Sequence, residues 1–287
     1  MNETTKKTKG VSVHTRRVLS YIALAIATLI CLFWFYVLFI NATRSNAALK
    51  QGFTVIPGTA LIKNVKSVFS DHHLPLFSGL LNSLIIASIT AALSTYFSTM
   101  TAFAIHAYDF KLKKFFFTFI LAIMMIPTQV TALGFLDLIR KMKLDDNAIP
   151  LIVPAIAAPS VFFYMKQFMD GSLPKELLES ARIDGAGEFK IFNKIALPLM
   201  KPAIAVQAIF AFVASWNNYF IPALVLKTQN KKTLPILIAQ LRAEDFSKFD
   251  MGKVYMFIAL AILPVVIIYL VLSKNIVGGM TVGSVKG

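Results

Sequence analysis

Two groups of residues in this chain have side chains suited to recognition. Glu176, Glu179 and Asp184 gather carboxylates on the approach to Gly185, with Ala181 between them and Pro198 beyond. An exposed carboxylate accepts charge-assisted hydrogen bonds, so this cluster suits a contact with another protein. Gln207, Trp216, Asn217 and Asn218 form the second group, in which amides stand beside an indole. Amides pair with hydroxyl groups, and an aromatic ring covers the apolar face of a polyol. No reaction is implied by either group. The chain shows no Ser/His/Asp set and no paired carboxylates, so no catalytic residue is expected. It has no G-x-x-x-x-G-K-[ST] phosphate loop; Gly252-Lys253 lacks both the upstream glycine and the following hydroxyl residue. Of His14, His72, His73 and His106, only the adjacent His72 and His73 suggest a metal, and no third ligand lies near them. Neither a metal nor a chain-bound cofactor is expected. The single Cys31 excludes an internal disulfide.

The elements that position these groups are membrane helices. Apolar residues make up 57% of the 287 and charged residues 15%, against roughly 45–50% and about 25% in a soluble domain. The apolar residues fall into long runs free of Asp, Glu, Lys and Arg. A helix needs about 20 such residues to cross a hydrocarbon core. The runs predict an all-α integral membrane protein of about six spans, near 18–40, 78–107, 115–137, 148–166, 202–226 and 254–274. Together they make a membrane domain over 18–274, flanked by tails at 1–17 and 275–287. The fourth run is the marginal one, carrying Pro150, Pro154 and Pro159. Spans interrupted by proline are weak pointers to a transport path, although a kink also serves packing. An even number of spans puts both termini on one side. Lys6, Lys7, Lys9, Arg16 and Arg17 precede the first span, while Arg44 and Lys50 follow it. That bias places the N-terminus in the cytoplasm. The formal charge of +15 is dispersed among loops that flank apolar runs, as at a lipid bilayer, and argues against a nucleic-acid partner. Within the outer segment 41–73, residues 61–69 form an amphipathic stretch suited to the interface.

The inner connection 170–201 is the most structured of the polar segments. Pro174 suits a first helical position, and Glu176 follows in the first turn. Leu173, Leu177 and Ala181 are spaced by four and share a face. Gly185 and Gly187 stop the helix and turn the chain. Phe189, Phe192, Ala196 and Leu199 make a second apolar stripe. The pattern predicts a helix, a glycine turn and a second helix. It suits docking against a cytoplasmic protein, and equally an amphipathic hairpin lying on the membrane. Farther on, Gln207, Ala211, Ala214 and Asn218 are spaced by four, three and four, so they share one face of the fifth span. That face either lines a wet cavity or binds neighbouring helices through hydrogen bonds. The outer loop 227–253, with Phe246 and Phe249, is a candidate contact for an external protein.

Glu179-Ser180-Ala181, then Gly185, Ile195 and Leu197-Pro198, resemble the "EAA" signature of ATP-binding-cassette importer permeases. The signature reads Glu-Ala-Ala, three residues, Gly, nine residues, then Ile-x-Leu-Pro; Ser180 is the one departure. Asn82-Ser83, Met125-Ile126-Pro127-Thr128-Gln129, Trp216-Asn217-Asn218 with Pro222, and the ending from Gly278 to Gly287 resemble patterns of the carbohydrate branch. The matches span about 75–287 and are similar to the maltose-transporter-like permeases.

The resemblance implies a bacterial or archaeal cytoplasmic membrane, and a permease subunit that carries a mono- or oligosaccharide inward. Its implied partners are a second permease subunit, two cytoplasmic ATP-binding subunits that hold ATP and Mg, and an extracytoplasmic solute-binding protein. It makes the hairpin a coupling element for the ATPase through Glu176, Glu179, Ala181, Asp184, Gly185 and Pro198. It makes the C-terminal tail, with Thr281, Gly283 and Lys286, a second contact. A sugar alcohol or glycerol phosphate stays open as the substrate. An ion-coupled secondary carrier remains the other class, but it needs an ionisable group at mid-span. Asp109 and Asp137 lie only at span ends.

Overall fold

Helices form where the apolar runs lie, and they break where proline or an asparagine pair interrupts them. The structure, a computed structural model, describes residues 13–71, 73–242 and 250–283. Elements used below are α1 (Val13–Ala42), α2 (Leu76–Ala107), α3 (Lys113–Ile123), α4 (Thr128–Lys141), α5 (Pro159–Ser172), α6 (Lys175–Ile183), α7 (Glu188–Ile191), α8 (Lys201–Trp216), α9 (Phe220–Val225), α10 (Leu234–Arg242) and α11 (Met251–Gly283). No strand occurs among the described residues. Among the described residues, four helical segments are long and apolar enough to cross a membrane. They become six when the α3–α4 pair and the pair formed by 188–199 with α8 each count as one span.

The breaks have identifiable causes. The third run bends by 96° between α3 and α4. Pro127 sits at the break as the N-cap of α4; inside a helix its ring would clash with the carbonyl of Ile123. The fourth run opens with a turn at Ile149–Ile152 and a 3₁₀ turn at Val153–Ile156, both started by prolines. The fifth run does not continue to residue 226. α8 ends at Trp216, and α9 begins again at Phe220. Pro222 has no N–H for the carbonyl of Asn218, which leaves the chain open at 217–219. Asn218 therefore lies beyond the helix whose face it was expected to share with Gln207. At the C-terminus α11 runs on to Gly283, across most of the stretch 275–287 that the sequence suggested as a tail. The segment 227–253, expected as an outer loop, holds a helix of its own, α10, with Leu234, Leu237 and Leu241 buried.

The chain divides into two compact units, 1–66 with 250–259, and 67–249 with 260–287. In the first, Asn64 organises the turn after α1. Its Nδ2 donates to the carbonyls of Ala42 and Arg44, each at 2.8 Å. A Cβ on Gly252 would come within 2.8 Å of the Arg44 carbonyl, so only glycine fits that approach.

In the second unit α2 is the central helix. Its buried face is built of small residues, Gly79, Ser83, Ala87, Ala91, Ser94, Thr95, Ser98, Thr99 and Ala102, which let helices approach closely in a membrane. Several of the hydroxyls bond to backbone carbonyls, while that of Thr90 on the same helix is buried without a partner among the described residues. Ser94 and Thr95 donate to the Ala91 carbonyl at 3.1 and 2.7 Å, and Ser98 reaches the Ala158 carbonyl at 3.2 Å. One core joins the end of α2 to α5 and the hairpin: Ala102, Phe103, Met165, Met169, Leu178, Ala181, Ile191, Phe192, Ala196 and Met200 are all buried in it. At the other end of α2, Gly79 lies directly against Leu237 of α10. Asn82 Nδ2 holds the approach to α10 by donating to the carbonyls of Asn230 (2.8 Å) and Lys232 (3.1 Å).

Candidate functional site

The hairpin between α5 and α8 is built from the glycine outward. Gly185 takes φ +78°, a conformation that costs other L-residues about 1–2 kcal/mol. Its N–H donates to the Arg182 carbonyl, and the Ala186 N–H to the Ala181 carbonyl, both at 3.0 Å. This pair of bonds is a Schellman motif that satisfies the end of α6. Nothing lies within 4 Å of a Cβ placed on Gly185, so its backbone angle, and not crowding, demands glycine. Gly187 then caps α7 in an extended conformation.

Side chains clamp the turn. Arg182 Nε donates to Glu188 Oε1 at 2.7 Å and Nη2 to Oε2 at 3.3 Å. The hydroxyl of Tyr108, just past α2, donates to the same carboxylate. The guanidinium lies 5.3 Å from the centre of the Tyr108 ring, within reach of a cation–π attraction. A second tie lies one helical turn on, where the chain from Phe192 to Ala196 forms a π-helical turn. Asn193 donates there to the Phe189 carbonyl at 2.9 Å and accepts from the Tyr96 hydroxyl of α2 at 3.2 Å. The hairpin is thereby fixed to α2 at two points, and its inner face is part of the core.

The outer face differs. Glu176, Glu179 and Asp184 are exposed. Ile183 and Phe189, on either side of the glycine turn, are 86% and 72% exposed. Apolar side chains bared beside carboxylates mark a surface for a partner. Ala181, expected on that surface, is instead buried in this chain's own core, and Pro198 sits in the last turn of the second arm. The predicted stripes are also redrawn. Leu178 is buried while Leu177 is 40% exposed, so the buried stripe of α6 runs through Leu178 and Ala181, three apart. Phe192 and Ala196 are buried but Phe189 and Leu199 are exposed; the π turn shifts the register that would have aligned them.

Toward the opposite end of α2 lies a cavity of about 430 Å³. Ser83 of α2, Thr128 and Thr131 of α4, Ser215 of α8, Asn218 in the break and Thr233 before α10 give it hydroxyls and an amide. Its apolar walls include Phe135, Leu151 and Ile221. Of the four residues proposed for a path, the cavity takes in only Asn218. Gln207 is buried in α8 away from it, Trp216 is buried and stacked on Phe212 with ring centres 5.5 Å apart, and Asn217 is exposed outside it. Outside the cavity Asp146 joins the 143–147 loop to the 227–231 segment. It accepts from the Thr228 hydroxyl, from the N–H groups of Thr228 and Lys227 (3.0 and 2.8 Å), and pairs with Lys231 at 3.1 Å. The Thr228 hydroxyl and backbone N–H hold the Asp146 carboxyl well below the usual range.

Thr281 and Gly283 lie near the end of α11. Lys286, His72, Phe246, Phe249 and the basic residues Lys6, Lys7 and Lys9 are outside the described residues. Sequence reasoning missed Tyr108, Arg182 and Glu188. Opposite charges flanking a Gly-Ala-Gly turn were the available signal for the last two. It also missed the hydroxyls of the cavity.

Residues 94–281 match the model of the family described as binding-protein-dependent transport system inner membrane component. Over 248 residues the chain is 36% identical to an arabinooligosaccharides transport system permease protein of Halalkalibacterium halodurans, covering 85% of this chain and 86% of that one. It is 32% identical to an sn-glycerol-3-phosphate transport system permease protein of Salmonella typhimurium, covering 92% and 95%. A lactose transport system permease protein of Rhizobium radiobacter is 30% identical, with 94% and 96% covered. In fold the chain resembles a chain in the crystal structure of a bacterial ABC transporter involved in the import of the acidic polysaccharide alginate. The TM-score is 0.78 at 22% identity, with 93% of this chain and 99% of that chain covered.

Proposed function

We infer the activity from one premise: the chain belongs to the family of binding-protein-dependent transport system inner membrane components. It is a multi-pass permease subunit of a cytoplasmic membrane. The substrate we propose is a sugar, taken inward by a complex of this chain, a second permease subunit, two cytoplasmic ATP-binding subunits and an extracytoplasmic binding protein. Hydrolysis of ATP, with its Mg, belongs to the partner subunits. The named transport systems of the relatives support this reading. In this arrangement both termini and the hairpin face the cytoplasm.

The observation that carries the proposal is the two-sided hairpin. Its inner face is locked to α2 and α5, and its outer face bares Ile183 and Phe189 beside Glu176, Glu179 and Asp184. Burying two such apolar side chains in an ATPase cleft stabilises the contact by about 1.5–3 kcal/mol each. A charge-assisted hydrogen bond at Glu179 adds on the order of 1.5–3 kcal/mol. Closure of the ATPases then moves the hairpin, which moves the end of α2 with it. Pro198 ends the second arm before α8. The end of α11, near Thr281 and Gly283, together with Lys286, is a second proposed contact with the ATPases.

The test is a reconstituted complex carrying Glu179→Lys or Gly185→Trp. The expected outcome is loss of ATPase binding or of sugar-stimulated ATP hydrolysis. Wild-type assembly and stimulation in both variants would refute the docking role.

A further inference from the structure

We propose that the cavity near the start of α2 is a subsite for an uncharged sugar, and that it discriminates against phosphorylated and acidic ones. The proposal rests on the reading of this chain as a sugar permease and adds the class of sugar.

The cavity exists because helices fail to close over it. Pro127 precedes α4, Pro150 and Pro154 break the start of the fourth span, and Pro222 leaves 217–219 open. Its volume, about 430 Å³, falls in the range of small-molecule sites, about 300–1,000 Å³. The polar groups around it are those a polyol can use. Ser83 Oγ accepts the Leu234 N–H at 2.8 Å, so its own hydrogen is left to donate. The Thr131 hydroxyl donates to the Thr128 carbonyl at 3.0 Å, so its lone pairs are left to accept. The Asn218 amide offers two donors and an acceptor and has no side-chain hydrogen bond among the described residues. Thr233 is only 4% exposed, and its hydroxyl is buried without a hydrogen-bond partner. An unpaired buried hydroxyl is destabilising. A native fold keeps such a group where something else completes it, and a sugar hydroxyl both donates and accepts.

Charge sets the class. Among the described residues that line the cavity, none is ionisable. The nearby cation, Lys231, is already paired with Asp146 in the adjoining recess. A phosphate or uronate brought into this cavity would lose water and find no counter-ion among its lining residues. A neutral glycan exchanges water for hydroxyl and amide partners at little loss. The preference separates this chain from what two similar proteins are named for, one a glycerol phosphate and one an acidic polysaccharide.

The experiment uses the complete transporter in proteoliposomes, with radiolabelled arabinotriose and lactose as neutral probes and sn-glycerol-3-phosphate as the anionic one. Wild type is expected to take up a neutral probe and not the anion. Asn218→Leu should raise the KM for the neutral probe at least tenfold in complexes that assemble normally. Thr131→Val should raise it severalfold, and it reads the same cavity if Asn218→Leu fails to assemble. A wild-type KM in the variants would remove the subsite while leaving the chain a sugar permease. Uptake of glycerol phosphate above the neutral probes would overturn the charge argument. Uptake of none of the three by a complex that hydrolyses ATP would instead count against the sugar reading beneath it.

Discussion

At the hairpin end of the second unit each side chain that clamps the turn has a partner, whereas at the cavity end the side chains of Thr233 and Asn218 have none among the described residues. Arg182, Glu188, Tyr108 and Asn193 are all spoken for within the chain. Thr233 and Asn218 are not, and the helices around them are broken at proline. A part that transmits motion gains from being one rigid piece, so its polar groups close on each other and its inner face joins the core. A part that meets a passing solute gains from groups left free and walls left unsealed. Both ends hang on α2, whose close-packed small residues let one helix serve both. Under the proposed function, coupling across it would be the movement of a stiff rod.

The sharpest way to break this contrast is to unpair the hairpin. Glu188→Ala leaves the Arg182 guanidinium and the Tyr108 hydroxyl without their carboxylate. Transport should fall at least tenfold per ATP hydrolysed, with the complex still assembled, and Glu188→Asp should restore part of it. Measured uptake and hydrolysis in the same vesicles decide this; an unchanged ratio would make the clamp only structural. Gly185→Ala tests the backbone alone. Its positive φ should cost about 1–2 kcal/mol, read as a lowered melting temperature of the complex and a smaller loss of transport. Tight docking with unaltered stability would show that the turn relaxes freely.

The smallest effect belongs to Asp146, which ties the 143–147 loop to the 227–231 segment. Its folded pKa lies below the unfolded value. The stability it contributes is therefore present above about pH 4 and lost only as pH falls through the depressed value. Asp146→Asn should lower thermal stability slightly and evenly from pH 6 to pH 8, with substrate affinity intact. A strong dependence on pH within that window would place the titrating group elsewhere.

The hairpin was legible because its signals are local. Pro174, Glu176, Gly185 and Gly187 lie within fourteen residues of each other and spell a helix, a stop and a turn. What misled there was register. Leu177 and Leu199 were placed on buried stripes by helical spacing, and both came out exposed. Tyr108 was invisible because it stands 80 positions from Glu188. Ser83 and Thr233 come together from segments 150 positions apart, and nothing in spacing announces that. Asn218 was found through its amide, yet for a helical face it does not occupy. The α10 helix lay hidden in a loop judged by its charges, although Leu234, Leu237 and Leu241 already carried the spacing.

The account turns on what the outer face of the hairpin touches. A photo-crosslinking residue in place of Ile183, and separately of Phe189, reads this in the assembled transporter. Adducts with the cytoplasmic ATP-binding subunit, weakened when Glu179→Lys is added, are the predicted result. Adducts with lipid alone at both positions would mean that the hairpin lies on the membrane, and the coupling role would fall.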